Sequence, residues 1–265
     1  MLDIINVHKS FNIGTPVQKD ALTGLNLHLD KGDFVTVIGG NGAGKSTMLN
    51  AVAGVFGVEK GVIKIDGHDV TRDPEYKRAK YIGRVFQDPL KGTAGDMWIE
   101  ENLALALRRG KRRSLRWGIS NKEREQFVEL LKTLDLGLES RLSAKVGLLS
   151  GGQRQALTLL MATIKEPQLL LLDEHTAALD PKTAKKVLEM TDEIISRSHL
   201  TTLMITHNMK DAIKYGNRLI MMNDGKIIYD VSGDEKKRLK VSDLLAKFEQ
   251  ASGGEFANDR MLLGQ

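Results

Sequence analysis

A chain of 265 residues has ample material for a core and can hold one large domain or two small ones. Hydrophobic residues at 41% and charged residues at 28% set it among globular proteins, and no apolar run approaches the roughly 18 residues of a membrane-spanning helix. The lack of cysteine excludes disulfides, cysteine-ligated metal and thiol catalysis, while a net charge of +5 fits nucleic acid, an anionic membrane surface or neither. Residues 1–4, Met-Leu-Asp-Ile, carry neither a basic segment nor an apolar stretch, so no secretory signal is expected.

Residues 2–7 and 25–29 are predicted strands, and the alternation of Leu25, Leu27 and Leu29 with polar partners suits an antiparallel sheet with one solvated face. Phe11 lies between them in a loop containing Gly, Thr and Pro, where its ring could stack on a base or fill the core. A turn at Lys31-Gly32 leads to a strand over residues 34–38, which runs into Gly39-Gly40-Asn41-Gly42-Ala43-Gly44-Lys45-Ser46-Thr47. Met48, Leu49 and Val52 then recur at helical spacing. Gly, four free positions, then Gly-Lys-Ser between a strand and a helix is a phosphate-binding loop. Its glycines let backbone amides curl around phosphate oxygens, and the helix start adds unsatisfied N–H groups and a favourable dipole. Lys45 is expected to reach the β and γ phosphates and the Ser46 hydroxyl to ligate Mg²⁺.

Gly54 and Gly57 end that helix; residues 63–65 with Asp66-Gly67 make a strand and turn, and a strand over residues 81–86 delivers Gln87 at its end. From residue 88 to about 165 the pattern is helical, with Ile99, Leu103, Ala106 and Leu107 on one face and Phe127, Leu130, Leu131 and Leu134 on another, the second opened by a Ser120 to Glu123 capping box. This block is predicted to be an inserted helical subdomain. In it Arg108, Arg109, Lys111, Arg112, Arg113 and Arg116 form either a solvated face or a contact for anionic headgroups or acidic protein. With 5% aromatics and no stacking platform near these charges, nucleic acid is not an expected partner.

Residues 169–172, all leucine, run into Asp173-Glu174, a carboxylate pair at the edge where α/β folds bind ligands. Asp173 suits a Mg²⁺ partner and Glu174 a base that orients water. Ala184, Val187, Leu188, Thr191, Ile194 and Ile195 trace a helix, and a strand over residues 202–206 ends at His207, on the same edge as Glu174. Residues 219–222 and 227–229 flank the hairpin signal Asn223-Asp224-Gly225-Lys226, Val241, Leu244, Leu245 and Phe248 form a last helical stripe, and residues 251–265 read as a loose tail after a domain spanning residues 1–250.

Leu149-Ser150-Gly151-Gly152-Gln153 opens an apolar helix through Leu157, Leu160 and Ile164, giving a second helix start with a serine cap and two glycines, hence a second phosphate-binding surface. One nucleotide needs one such surface, so the simplest use is two copies facing head to tail, each closing the other's site. Together these motifs resemble the nucleotide-binding subunit of ATP-binding cassette (ABC) transporters over nearly the whole chain to about Phe248. The resemblance implies an α/β P-loop NTPase core of ABC type with an antiparallel β subdomain and an inserted α-helical subdomain at residues 88–165. It further implies that Phe11 stacks on adenine, that Gly39 to Thr47 hold ATP, and that Gln87 touches Mg²⁺ and the lytic water. Ser150, Gly151, Gly152 and Gln153 match the family signature, with Ser150 and Gly152 on the γ-phosphate of the opposite subunit. Asp173 resembles the metal-binding aspartate, Glu174 the catalytic base, Asp180 the dimer-loop aspartate and His207 the switch histidine.

Where the family often has Pro-Thr-Ser after the base, this chain has His175-Thr176-Ala177, which leaves Glu174 and Asp180 in place. Phe86-Gln87-Asp88-Pro89 with Gly92-Thr93 and residues 99–103 looks importer-like, so the resemblance implies a MgATP-hydrolysing subunit of a small-molecule or amino-acid importer. Its implied partners are a second nucleotide-binding subunit, membrane permease subunits and an extracytoplasmic substrate-binding protein, at the cytoplasmic face of the membrane. The chief alternative is a soluble ABC-type ATPase acting on nucleic acid or ribosomes. The stretch between Lys45 and Asp173 is too short for its long coiled arms, and there is no cysteine for zinc modules.

Overall fold

The computed structural model describes residues 1–111 and 118–252. In chain order the strands are β1 (Leu2–Phe11), β2 (Lys19–Leu29), β3 (Phe34–Gly39), β4 (Lys60–Ile65), β5 (His68–Asp69), β6 (Ile82–Val85), β7 (Leu169–Asp173), β8 (Thr201–Ile205), β9 (Arg218–Asn223) and β10 (Lys226–Ser232). The helices are α1 (Lys45–Ala53), α2 (Glu75–Arg78), α3 (Ile99–Leu107), α4 (Asn121–Lys132), α5 (Gly151–Thr163), α6 (Pro181–Ser198), α7 (Met209–Lys214), α8 (Gly233–Arg238) and α9 (Val241–Ser252).

Two sheets result. One is antiparallel, ordered β2-β1-β4-β5; the other is six-stranded, ordered β10-β9-β3-β8-β7-β6, with every neighbouring pair parallel except β9 with β10. The central strands β3 and β8 are buried along their whole length, which is why they lack an alternating polar face and carry only threonine among their polar residues. In β7 the period of two divides the leucines: Leu169 and Leu171 join the core beneath the antiparallel sheet with Leu25, Val35, Met48 and Ile63, while Leu170 and Leu172 join the core beneath the helices with Phe127, Leu157 and Leu160. The parallel sheet is thus covered on both faces.

Between β6 and β7 the chain is helical, as expected. Ser120 caps α4 by accepting from the Glu123 amide, and the Glu123 carboxylate returns to the Ser120 amide at 2.8 Å, which is the capping box anticipated from sequence. One expectation is corrected. Phe11 is the last residue of β1, paired with Lys19 of β2, because the strand continues well past residue 7 through a series of register shifts; it is not in the loop. Of the basic run, Arg108 donates to the Ala104 and Gly118 carbonyls and to Glu123, and Arg109 donates to the Ala162 carbonyl, tying α3 to α4 and α5, while Lys111 is exposed. Arg112, Arg113 and Arg116 lie outside the described residues, as do residues 253–265 of the expected tail. Among the described residues no helix is long and apolar enough to cross a membrane.

Candidate functional site

Strands β3, β8, β7 and β6 are consecutive and parallel, so whatever follows each of them emerges along one edge of the sheet, the carboxyl edge at which open α/β sheets bind ligands. In that order the edge carries the Gly39 to Thr47 loop, His207, Asp173 with Glu174, and Gln87. Residues distant in the chain are brought together by strand order alone.

The loop closes on Gly44, the cap of α1, at φ +97°; a Cβ there would lie 2.6 Å from the Ala21 carbonyl oxygen, so only glycine serves. No side chain caps this helix and its first turn carries no acid, which leaves its starting amides directed at the loop's hollow. Gly39, Gly40, Ala43 and Gly44 are buried, whereas Asn41, Gly42 and Ser46 face solvent and Thr47 is half-buried. The Lys45 ammonium is folded inward, 5% exposed, donating to the carbonyls of Gly39 at 2.8 Å and Gly40 at 3.1 Å.

Beside the loop, burial raises the Asp173 pKa above the usual carboxylate value, opposed by the Arg84 guanidinium at 3.8 Å and by the nearby Ser46 hydroxyl. A poorly hydrated carboxylate with a hydroxyl at the start of the neighbouring helix α1 offers oxygen donors that suit a hard divalent cation, so the residues fit Mg²⁺. Glu174 follows in the left-handed region at φ +46°, rare for a non-glycine residue, held there by hydrogen bonds from its amide to Ile205 O and from the Ala177 amide to its own carbonyl. That turn directs its carboxylate onto Nε2 of His207, with which it makes a close polar contact. Gln87 is exposed and lines, with Asp173, Arg84, Asn50 and Glu75, a cleft of about 660 Å³.

The remaining expected residues lie elsewhere. Ser150 caps α5, accepting from the Gln153 amide while the Gln153 side chain accepts from the Ser150 amide. Ser150 and Gly151 face solvent; Gly152 is buried against α6, where a Cβ would come within 2.2 Å of Thr183 Cγ2. Asp180 caps α6, and hydrogen bonds from Thr183 hold its carboxyl below the usual range. The Phe11 ring meets Phe56 edge-on at 5.4 Å and is 36% exposed. Sequence reasoning missed Arg84 and Asn50; the available signal was a lone charge inside the apolar strand β6.

A phosphate-loop sheet roofed on one face by an antiparallel sheet and on the other by helices inserted before the acidic strand is the architecture of an ATP-binding cassette. The family model described as ABC transporter matches residues 22–177. The tyrosine transport ATP-binding protein of Clostridioides difficile (strain R20291) is 45% identical over 95% of this chain and 100% of its own length. The bacitracin export ATP-binding protein BceA of Halalkalibacterium halodurans is 31% identical over 96% of this chain and 97% of its own. A dimeric ATP-binding cassette solved in a post-hydrolysis state with ADP and Pi superposes with a TM-score of 0.74 at 30% identity, covering 88% of this chain and 98% of that one. The chain belongs to the ABC transporter family, as an ATP-binding subunit, and is an ATPase.

Proposed function

We propose that this subunit drives uptake of a small molecule, with an amino acid as the leading cargo class, by closing head to tail with a second nucleotide-binding subunit around two MgATP. The observation that carries the mechanism is the convergence of the Gly39 to Thr47 loop, His207 and Glu174 on one sheet edge, while the Ser150 turn opens to solvent on α5. Tyrosine transport by a relative that aligns over its full length supports the cargo class, and the Gln87 segment supports import. The subunit would sit at the cytoplasmic face of the membrane against permease subunits, fed by an extracytoplasmic substrate-binding protein. Residues 1–250 would act as the ATP-binding domain, with residues 88–165 as its helical unit.

In the closed pair, Gly39 to Thr47 wrap the phosphates, Phe11 stacks on adenine, and the Lys45 ammonium leaves its two loop carbonyls for the β and γ oxygens. Ser46 and Asp173, aided by Gln87, would hold Mg²⁺, which when bound supplies positive charge to the β- and γ-phosphate oxygens. Glu174 accepts a proton from water as the water oxygen bonds to the γ phosphorus and the bond to the β–γ bridging oxygen breaks, its electron pair leaving with ADP. His207 fixes the Glu174 carboxylate and reaches the γ-phosphate. Ser150 and the amides of Gly151 and Gly152 from the partner, with Asp180 beside them, complete the site. Glu174→Gln should bind ATP as the parent does and lose turnover by at least about a hundredfold, the range general-base removal gives. Phosphate release near the parent rate in a purified variant would reject the assignment.

A further inference from the structure

Arg84 is the one charged residue of β6, and its surroundings differ from those of a structural arginine. Its guanidinium carbon lies 4.5 Å from the Phe86 ring centroid. Nη2 donates to Asn50 Oδ1 of α1 at 2.5 Å and stands 3.8 Å from Asp173 Oδ2, while Nη1 stands 3.8 Å from Glu75 Oε1. Nε is buried and has no hydrogen-bond partner among the described residues. A seated arginine would fork onto one carboxylate with two short bonds. This one lies between two carboxylates, beyond hydrogen-bond range of both, along the wall of the cleft that contains Asp173, Glu75 and Gln87. Arg84 and Asp173 are only 12% and 17% exposed at their side chains, so water screens the pair weakly.

We propose that Arg84 is a positioning residue that holds the Asp173 carboxylate in the metal-free subunit and competes with Mg²⁺ for it, so that Arg84 sets the Mg²⁺ concentration at which the pocket loads nucleotide. The inference rests on Asp173 and Ser46 holding the metal. A divalent ion at Asp173 adds two positive charges close to a guanidinium that is partly buried, and Asp173 cannot serve both cations at full strength. Glu75, 55% exposed on α2, is the place to which the guanidinium retreats, with Asn50 as its pivot.

The test is a Mg²⁺ titration of trinitrophenyl-ATP binding in the full chain carrying Glu174→Gln, so that no turnover intrudes. Adding Arg84→Gln, which keeps a donor for Asn50 and removes the charge, should lower the Mg²⁺ half-saturation by about tenfold, and Arg84→Lys should stay within about twofold of the parent. No shift with Arg84→Gln, or an equal shift with Arg84→Lys, would overturn the proposal, because packing rather than charge would then be at stake. If Arg84→Gln does not fold, Glu75→Gln on the exposed α2 decides: leaving the guanidinium to Asp173 should raise the half-saturation by about twofold, and an unchanged or lower value rejects the idea. Asp173→Asn separates the two levels. If it leaves the Mg²⁺ dependence intact, the metal assignment itself is wrong and the inference falls with it; if it abolishes that dependence while Arg84→Gln does nothing, only the inference falls.

Discussion

His175, immediately after Glu174, is 2% exposed, with Nε2 3.1 Å from Thr191 Oγ1 on α6, and burial pulls its pKa from 6.5 down to about 4. The unfolded chain takes up a proton at this residue below 6.5, while the folded chain resists until about 4. The contribution to stability is therefore present above 6.5 and lost as pH falls through 4, and it amounts to about 3 kcal/mol. Denaturant melts of the nucleotide-free protein at pH 7 and pH 4.5 should show a steeper acid loss in the parent than in His175→Leu; equal losses would contradict the assignment. At this scale the loop residues Gly39 to Thr47 and the pair Asp173-Glu174 were legible in the sequence because their chemistry is local. The left-handed turn at Glu174 was not, since nothing in the composition of an acidic residue announces a positive φ, and its meeting with His207 depends on β7 and β8 being neighbours.

Arg78, at the end of α2, is 1% exposed and donates to the Ala51 and Val52 carbonyls at 2.8 and 2.9 Å, to Asp73 O at 2.8 Å and to Thr71 O at 3.0 Å. It supplies the cation that the last turn of α1 lacks and fastens the phosphate-loop helix to the segment after β5. Arg78→Met keeps the stem but strips four buried or half-buried carbonyls of a donor, so the midpoint of denaturant unfolding should fall by the equivalent of about 2–4 kcal/mol. A loss below about 1 kcal/mol would mean that water replaces the guanidinium at no cost. Elements such as α4 and α6 could be read from their caps and periodicity, but α2, α7 and α8, of four and six residues, are too short to show a period and are held by tertiary contacts. Within α8, Lys236 stands among charged neighbours from Asp234 to Arg238, yet it is buried, donating to the carbonyls of Tyr215 and Gly216, and burial lowers its pKa to about 8.

For the molecule as a whole, the governing fact is that two helix starts, the uncapped start of α1 after the phosphate loop and the solvent-facing, Ser150-capped start of α5, belong to different parts of one chain. The first rides on β3, and the second packs with α6 and β6. Gln155 of α5 donates to the Phe86 carbonyl at 3.4 Å, next to Gln87, so α5 touches the cleft edge directly. If the proposed head-to-tail closure is right, a subunit that binds ATP without hydrolysing it should pair with a second copy as nucleotide saturates. Multi-angle light scattering of Glu174→Gln should then show a monomer without ATP and a dimer with it. Ser150→Arg in the same background places a bulky cation where the partner's γ-phosphate would approach, and loss of the cap costs only about 1 kcal/mol, so the fold should survive. Its affinity for trinitrophenyl-ATP as a monomer should match the parent, because its own phosphate loop is untouched, while the dimer should be lost. A Ser150→Arg subunit that dimerises with ATP as readily as its parent would place Ser150 outside the interface and leave the second helix start without a nucleotide to serve.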